Sequence, residues 1–312
     1  MAIQGDYCID AGSEYCPCYL AEMNCCIMCT RLMDRDCCDC NWRGVCIYQD
    51  YHFLNYQKKA TRGYQKVEII EREEIDKKVL VFTLKTPHTL ARQLKQPGSY
   101  IFIRNQSLAQ YFDIPISIME VDEEENHVKI AVEIHGVKTK TIKDVNDTLL
   151  IKGPYWNGLF GLEHLKKAKD MKCLFITRGV AQAPAVLAIN YLMRNNNQVD
   201  VVIDPGKAYI NLIREYTKAN IIEEGWNLYT PEAKRMLHNL LTNGDYKMIF
   251  VGGSDYLQQN LFTVFGDYKN LPLVLTNNKE ICCGEGVCGA CIVYDADGIP
   301  IRSCKTQIVH KK

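Results

Sequence analysis

Five cysteines near the carboxyl end carry the chemistry that the rest of the chain has to serve. The run Cys282-Cys283-Gly284-Glu285-Gly286-Val287-Cys288-Gly289-Ala290-Cys291 is followed at a distance by Cys304. Counted from Cys283, the spacing is C-x4-C-x2-C and then one remote cysteine. That is the plant-type [2Fe–2S] pattern, in which a tight loop supplies three thiolates and a later segment the fourth. Gly284, Gly286 and Gly289 suit such a loop, because backbone without side chains wraps closely and aims N–H groups at sulfur. Four thiolates would satisfy zinc as well, although C-x4-C is an unusual zinc knuckle. The expectation is metal ligation by Cys283, Cys288, Cys291 and Cys304 in a [2Fe–2S] subdomain spanning 277–312. From Cys291 to Tyr294 the chain alternates as a strand, Asp295-Ala296-Asp297-Gly298 reads as a turn, and Ile299 to Ser303 returns toward Cys304.

A second sulfur-rich stretch opens the chain. Of the sixteen cysteines, ten fall between Cys8 and Cys46, five between Cys282 and Cys304, and only Cys173 lies between the groups. Cys173 sits in an apolar run and reads as a small core residue. The units C-P-C at 16–18, C-I-M-C at 26–29 and C-D-C at 38–40 are short chelating loops, each able to place two sulfurs on one ion or cluster with little closure entropy. Large aliphatics are too few for an independent core, so a metal is expected to hold residues 1–62 together. The candidate ligands are Cys16, Cys18, Cys26, Cys29, Cys38, Cys40 and Cys46, serving a second iron–sulfur cluster or zinc. Spacing alone does not choose between these. Residues 46–63 read as an aromatic and then basic connector.

A chain of 312 residues suits two or three domains. Thirty-seven basic residues balance thirty-seven acidic ones, which excludes a nucleic-acid footprint. No apolar run reaches membrane-spanning length, and Met1 to Asp6 lack the regions of a signal peptide. A cytoplasmic location is expected, where abundant cysteine argues for metal rather than disulfides.

The elements that position these sulfurs fall into two patterns. Period-two alternation over 65–71, 78–85, 99–104, 114–121, 127–134 and 148–152 predicts a small antiparallel barrel at 63–160. From Lys172 strands and helices alternate: strands at 173–177, 199–203, 248–251 and 271–276, with helices ending near Arg194 and covering 234–241 and 256–265. This predicts a parallel α/β lobe at 161–276, with sites at the carboxyl ends of its strands. The fold class is therefore α/β plus β, with a Cys-rich metal module before it and the cluster subdomain after it.

This order resembles the electron-transfer subunit of dihydroorotate dehydrogenase, within the ferredoxin–NADP reductase superfamily, from about Tyr64 to Cys304. Ile114-Pro115-Ile116-Ser117-Ile118 is similar to the family's R-P-I-S segment, and Gly136-Val137-Lys138-Thr139-Lys140 to its G-x-G-T-K flavin loop. Gly153-Pro154-Tyr155-Trp156-Asn157-Gly158-Leu159-Phe160 resembles the turn between the family's domains. Arg178-Gly179-Val180-Ala181-Gln182-Ala183-Pro184 stands in the place of G-G-I-G-x-A-P, and Gly252-Gly253-Ser254 in that of the later C-G-P. The resemblance implies FAD on Pro115, Ile116, Ser117, Val132, Glu133, Ile134, Gly136, Lys138 and Thr139, and NAD(P)H at Arg178 and Gly179. Tyr155 and Trp156 either pack between domains or stack near the flavin.

The departures are chemical. Ile114 and Glu133 stand where the family has arginines, whose bidentate grip on phosphate is hard to replace. Lys138 and Lys140 offer point charges only. Glycines in G-G-I-G let backbone N–H groups approach a pyrophosphate at a helix N-terminus. Here Arg178 takes the first glycine position and Ala181 the last, so the arginine either binds the phosphate or fills its pocket.

The function implied is an iron–sulfur flavoprotein electron-transfer subunit of a multi-subunit oxidoreductase. It would pass electrons between FAD, the [2Fe–2S] cluster and the redox centre of a catalytic subunit or other redox protein in a hetero-oligomer. The alternatives are a self-sufficient NAD(P)H-dependent flavin or ferredoxin oxidoreductase, and a non-catalytic module folded by zinc. His135, beside the flavin loop, reads as a surface or core histidine rather than a proton donor, and His127, His164 and His238 form no constellation with a nucleophile, so no catalytic residue is assigned.

Overall fold

The computed structural model describes residues 7–75, 78–268, 270–295 and 297–308. Met1 to Asp6 and Ala296 of the predicted turn lie outside the described residues. Two compact units emerge: one is Gln65–Asn278, and the other joins the amino-terminal segment up to Tyr64 with the carboxyl-terminal segment from Lys279.

In the larger unit, six strands close an antiparallel barrel: β1 (Tyr64–Ile75), β2 (Val79–Lys85), β3 (Tyr100–Arg104), β4 (Ile114–Asp122), β5 (His127–Glu133) and β6 (Thr148–Tyr155), in the order β1-β2-β5-β4-β3-β6. Closure leaves no strand edge unpaired. β2 is buried along Val79–Leu84, and it pairs with β5 from Val79 opposite Glu133 to Lys85 opposite His127. Leu80, Phe82, Ile101, Ile103, Ile118 and Ile130 fill the interior, none of them more than 1% exposed. β1 runs four residues past its predicted end, because a register shift between Ile69 and Glu71 lets it keep pairing with β2 to Ile75.

The lobe follows with β7 (Leu159–Phe160), β8 (Lys172–Arg178), β9 (Gln198–Asp204), β10 (Asn220–Glu224), β11 (Met248–Gly252) and β12 (Leu273–Thr276). The sheet order is β10-β9-β8-β11-β12-β7, parallel except for β7. β8 and β11 are largely apolar runs, as strands covered on both faces must be, β9 is buried from Val199 to Asp204 with Asp200 in its middle, and Phe175 stacks on Phe250 at 4.4 Å between centroids. Three helices serve the sheet: α1 (Gln182–Arg194), α2 (Pro231–Asn243) and α3 (Asp255–Phe265). Pro184 falls in the first turn of α1, where a missing N–H does no harm. Thr230 and Ser254 cap α2 and α3 by accepting from the backbone N–H of Ala233 and Leu257.

Several short elements of this unit escape the sequence reading, the helices Leu162–Lys167 and Leu212–Tyr216 among them. The helix His88–Leu94 is short and has no side-chain cap; β10 is a half-exposed edge strand of mixed polarity; β7 has only two residues. None carries enough periods to signal itself.

The smaller unit is where sequence expectation and structure part. The leader and the cluster segment, read as separate modules at 1–62 and 277–312, form one body. Tyr7–Cys8 pairs antiparallel with Thr306–Gln307, and the Ile9 N–H donates to the Lys305 carbonyl at 2.8 Å. The expected connector instead contains a helix at Ile47–Phe53, whose Ile47 and Tyr51, four residues apart, bury one face. They join Cys16, Ala21, Cys29 and Leu32 in a small core.

A buried charge network crosses the same body. The side chains of Lys305, Arg62 and Asp10 are 0%, 1% and 3% exposed. The Lys305 ammonium donates to Asp10 and, at 3.1 Å, to Glu285; Arg62 reaches Asp10 at 3.0 Å and Glu285 at 3.2 Å, its guanidinium lying 3.9 Å over the Tyr15 ring. Two cations thus face two anions. Burial alone would raise the Asp10 and Glu285 carboxyls, but Lys305 and Arg62 outweigh it and hold both below the ordinary range. Removing one partner strands a buried charge, so Asp10→Ala should cost this unit about 3–5 kcal/mol in chemical denaturation. Because both carboxyl pKa values are depressed on folding, their contribution holds above the ordinary carboxylate range and is lost as pH falls through and below it. An Asp10→Ala protein with wild-type stability and acid profile would contradict this account.

Candidate functional site

In the larger unit a crevice of about 580 Å³ opens where the barrel meets the lobe. The barrel contributes Ile114–Ser117 of β4, Ala131–Glu133 of β5, and Thr139. From the lobe come the carboxyl ends of four strands: Arg178–Ala181 after β8, Gly206–Ala208 after β9, Gly253 and Ser254 after β11, and Thr276–Asn278 after β12. Open α/β sheets place ligands at this end, at the point where strand order reverses, here between β8 and β11.

The barrel wall is mostly apolar and backbone-rich. Thr139 organises the turn beside it: its hydroxyl oxygen accepts from the N–H groups of His135 and Gly136 at 2.9 and 3.1 Å. The nearby cations are directed elsewhere. Lys138 donates to the Asp113 carbonyl at 3.0 Å, and buried Arg104 pairs with the Asp113 carboxylate at 2.8 Å. Glu133 contributes an anion to the lining, and Ile114 an aliphatic side chain.

On the lobe side, Gly253 N–H donates to the Thr276 hydroxyl at 3.2 Å, and the Gln258 amide donates to the Thr276 carbonyl at 2.9 Å. These bonds hold the ends of β11 and β12 in register. Gly158 joins the wall through a close approach: its N–H donates to Gly98 O at 2.8 Å and its carbonyl accepts from Asn277 N–H at 2.9 Å. A Cβ at Gly158 would stand 2.8 Å from Gly98 O, which makes glycine obligatory there.

Of the expected cofactor residues, Pro115, Ile116, Ser117, Val132, Glu133, Thr139, Arg178 and Gly179 line the crevice. Ile134 packs against the barrel core instead, Gly136 donates to Thr139, and Lys138 is directed to Asp113. Tyr155 and Trp156 act in packing. Tyr155 stacks on Tyr100 at 5.1 Å, and the Trp156 indole N–H donates to the Gln93 carbonyl at 3.1 Å. Tyr229, Lys207 and Asn278 are lining residues that the sequence reading missed. Asn278 follows a predicted strand end and was findable; Tyr229 sits in irregular chain and gave no signal.

In the smaller unit the cluster loop is built on left-handed glycines: Gly284, Gly286 and Gly289 have φ of +70°, +76° and +78°. A Cβ at Gly286 would lie 3.0 Å from Leu20 and 3.2 Å from Arg302. Arg302 secures the loop by donating to the Gly286 carbonyl at 2.9 Å, and Ser303 donates from N–H and hydroxyl to the Cys291 carbonyl at 3.1 and 2.8 Å. The four expected sulfurs meet. Cys291 and Cys304 lie 3.2 Å apart, and Cys283 is hydrogen-bonded to both Cys304 and Cys288. The Glu285 N–H points at Cys283 Sγ at 3.3 Å. Hydrogen bonding with Cys304 draws Cys283 down to about 4 and Cys291 to about 6, and pushes Cys304 up. Two of the four sulfurs thereby favour the thiolate form that binds iron. Cys291 and Cys304 are 2% exposed, whereas Cys288 and the neighbouring Cys282 are exposed. Among the described residues, no group of three or more His, Cys, Asp or Glu is arranged to hold a single metal ion.

The leader's sulfurs are divided. Cys16 and Cys29 are buried in the small core, and burial pushes the Cys16 thiol up to about 12. Cys26 Sγ accepts from the Cys29 N–H at 3.4 Å. Cys18 and Cys40 are half-buried; Cys38 and Cys46 are exposed. Buried Cys8, absent from the sequence-based candidates, has its N–H 3.2 Å from the Met28 sulfur.

No known protein-family profile matches the chain. A dihydroorotate dehydrogenase B (NAD(+)) electron transfer subunit of Bacillus cereus is 21% identical over 236 residues, 74% of this chain and 88% of that one. Sulfhydrogenase 1 subunit gamma of Pyrococcus furiosus is 19% identical, over 69% of this chain and 79% of its own length. Among solved structures, a chain of NADH-dependent reduced ferredoxin–NADP oxidoreductase superposes with a TM-score of 0.62 at 18% identity, covering 76% of this chain and 85% of that one. The ferredoxin reductase of carbazole 1,9a-dioxygenase superposes at 0.53, with 12% identity and 69% of each chain covered. The barrel and lobe described above are what these proteins have in common with it: the chain has the ferredoxin–NADP reductase fold and is a distant relative of the electron-transfer subunits of dihydroorotate dehydrogenase.

Proposed function

We propose that this protein is an iron–sulfur flavoprotein subunit that passes electrons between FAD, a [2Fe–2S] cluster and the redox centre of a catalytic partner. The observation that carries the reading is the linked set of Cys283, Cys288, Cys291 and Cys304 on a loop of left-handed glycines. This donor set suits a two-iron group: four sulfurs joined in pairs, two of them inclined to ionise, and a backbone N–H aimed at one. Relatives named as subunits of dihydroorotate dehydrogenase and sulfhydrogenase support assembly with a separate catalytic chain.

The apolar face from Ile114 to Ser117 with Ala131 and Val132 fits the flat ring system of a flavin. A flavin supplies exchange between two-electron donors and one-electron iron–sulfur centres. The chain's own residues shape its seat. Thr139 pins the adjoining turn, and Glu133 places a negative charge on the lining where a diphosphate would favour a cation. For a second iron–sulfur cluster or zinc, the leader offers Cys16, Cys18, Cys26, Cys29, Cys38, Cys40 and Cys46 as candidate ligands, which among the described residues are not arranged as a ready single-ion site. Among the described residues no helix is long and apolar enough to cross a membrane. Reduced thiols in this number accord with a cytoplasmic location.

Material prepared without oxygen and analysed for iron, acid-labile sulfide, zinc and flavin tests the reading directly. Iron with matching sulfide, flavin, and a [2Fe–2S] EPR signal on reduction are expected. Colourless protein rich in zinc overturns it. Cys291→Ser and Cys304→Ser should each abolish the [2Fe–2S] signal, whereas Cys282→Ser should retain it; equal loss in all three would remove the ligand assignment. The flavin seat has its own test. Glu133→Arg, which exchanges repulsion for a charge-assisted bond, should tighten FAD about tenfold, or about 1.4 kcal/mol, in a fluorescence titration. Unchanged or weaker binding would place the diphosphate elsewhere.

A further inference from the structure

The lobe half of the crevice contains an arrangement that the electron-transfer reading does not use. In doubly wound nucleotide-binding sheets, the pyrophosphate sits at the turn after the first strand. An acidic residue about twenty positions further on receives the ribose hydroxyls. In this chain that turn follows β8 and begins at Arg178, and the acid at the carboxyl end of β9 is Asp204.

Both oxygens of Asp204 are already engaged. One carboxylate oxygen accepts from the Gly206 N–H at 2.9 Å, and the other from the Leu228 N–H at 3.1 Å. The second oxygen also lies 3.1 Å from Arg178 Nε, as an ion pair rather than an aligned hydrogen bond. The carboxylate is 6% exposed and the arginine side chain 26%. Arg178 is one of the residues that line the crevice. Its guanidinium carbon lies 5.1 Å over the Tyr229 ring, and Nη1 comes within 3.4 Å of the position a Cβ would take on Gly206. A cation held on one side by a carboxylate and on the other by an aromatic face has little reason to leave.

We propose that Arg178, braced by Asp204 and Tyr229, occupies the adenosine half of the crevice and closes it to nicotinamide dinucleotides, so that electrons enter and leave this chain through protein partners. The proposal rests on the reading above, that the crevice is a redox-nucleotide site of reductase type. It makes Arg178 a specificity-determining residue: the guanidinium stands where ribose and pyrophosphate would lie, and it takes the acid that would recognise the ribose. The barrel half, which seats the flavin ring, is untouched by it.

Equilibrium binding of NADH and of NADPH to the full-length, anaerobically prepared protein, by calorimetry and by fluorescence of the reduced nicotinamide, gives the test. Wild type should show no saturation by either at millimolar concentration. Arg178→Gly restores the backbone approach and frees Asp204, and should tighten NADH binding by at least about tenfold, a change of about 1.4 kcal/mol. Tyr229→Ala leaves both charges in place and should move affinity the same way by less, which keeps the idea testable if the glycine variant unfolds. Micromolar binding of either dinucleotide to wild type, or a loss of affinity in Arg178→Gly, overturns the proposal and makes the arginine a phosphate ligand. Iron, sulfide and flavin measured on the same samples separate the two readings. Loaded protein that binds NADH defeats only the closed crevice, and protein without cluster or flavin defeats only the electron-transfer role.

Discussion

An ammonium group with no exposed surface, one residue past Cys304, sets the terms for the smaller unit of this protein. Lys305 stays charged inside the smaller unit only because Asp10 and Glu285 face it, and Arg62 in turn balances those two carboxylates. One member comes from the beginning of the leader, one from its end, and two from the cluster segment. The network therefore requires both ends of the chain to fold as one body, and the two-residue pairing of Tyr7–Cys8 with Thr306–Gln307 completes the requirement. Glu285 lies inside the cluster loop, two residues from Cys283, and its N–H points at that sulfur. The charges that hold the leader in place are thus the ones that hold the loop. The leader's cysteines and those of the loop share one fold.

The larger unit is governed by a different constraint, the meeting of a closed barrel and an open sheet within one body. The barrel presents a strand wall of small and aliphatic residues, and the sheet presents its carboxyl ends. Gly158 makes the junction possible by approaching Gly98 more closely than any side chain allows. Charge is sparse in the resulting crevice. Lys138 is drawn off to a carbonyl and Arg178 to a carboxylate, while Glu133 and Lys207 are in the lining. The fold of a nucleotide-dependent reductase is retained, and the groups that would grip phosphate are rearranged. This pattern suits a chain whose exchange partners are proteins.

Most of this organisation was legible beforehand, and unevenly so for physical reasons. The barrel strands and the sheet strands announced themselves through alternation and through buried runs of Val, Ile, Leu and Phe, because burial on one face or two writes directly into residue order. Expected ends differ from observed ones mostly by one or two residues, and by four at β1, where a bulge that no pattern encodes prolongs pairing. The loop's three sulfurs were expected together for a local reason, since their spacing and the left-handed glycines are set by backbone geometry over about ten residues, whereas Cys304 joins them from a later segment. Eight of the expected cofactor residues reach the crevice for the same reason, since each lies on a strand end or its adjoining turn. Tyr229 could not be found in this way, because irregular chain has no period.

The order of the residues by itself determined the barrel, the parallel sheet, the cysteine loop and the departures at Ile114, Glu133 and Arg178, all of which depend on short-range pattern or on residue type. Tertiary structure alone decided that the leader and the cluster segment are one unit, since Asp10 and Lys305 are separated by 295 residues and no local rule links them. It also decided the role open to Arg178. A guanidinium beside a glycine turn is equally suited to a phosphate or to a neighbouring acid, and only the approach of β9 and of Tyr229 placed Asp204 and an aromatic face within its reach.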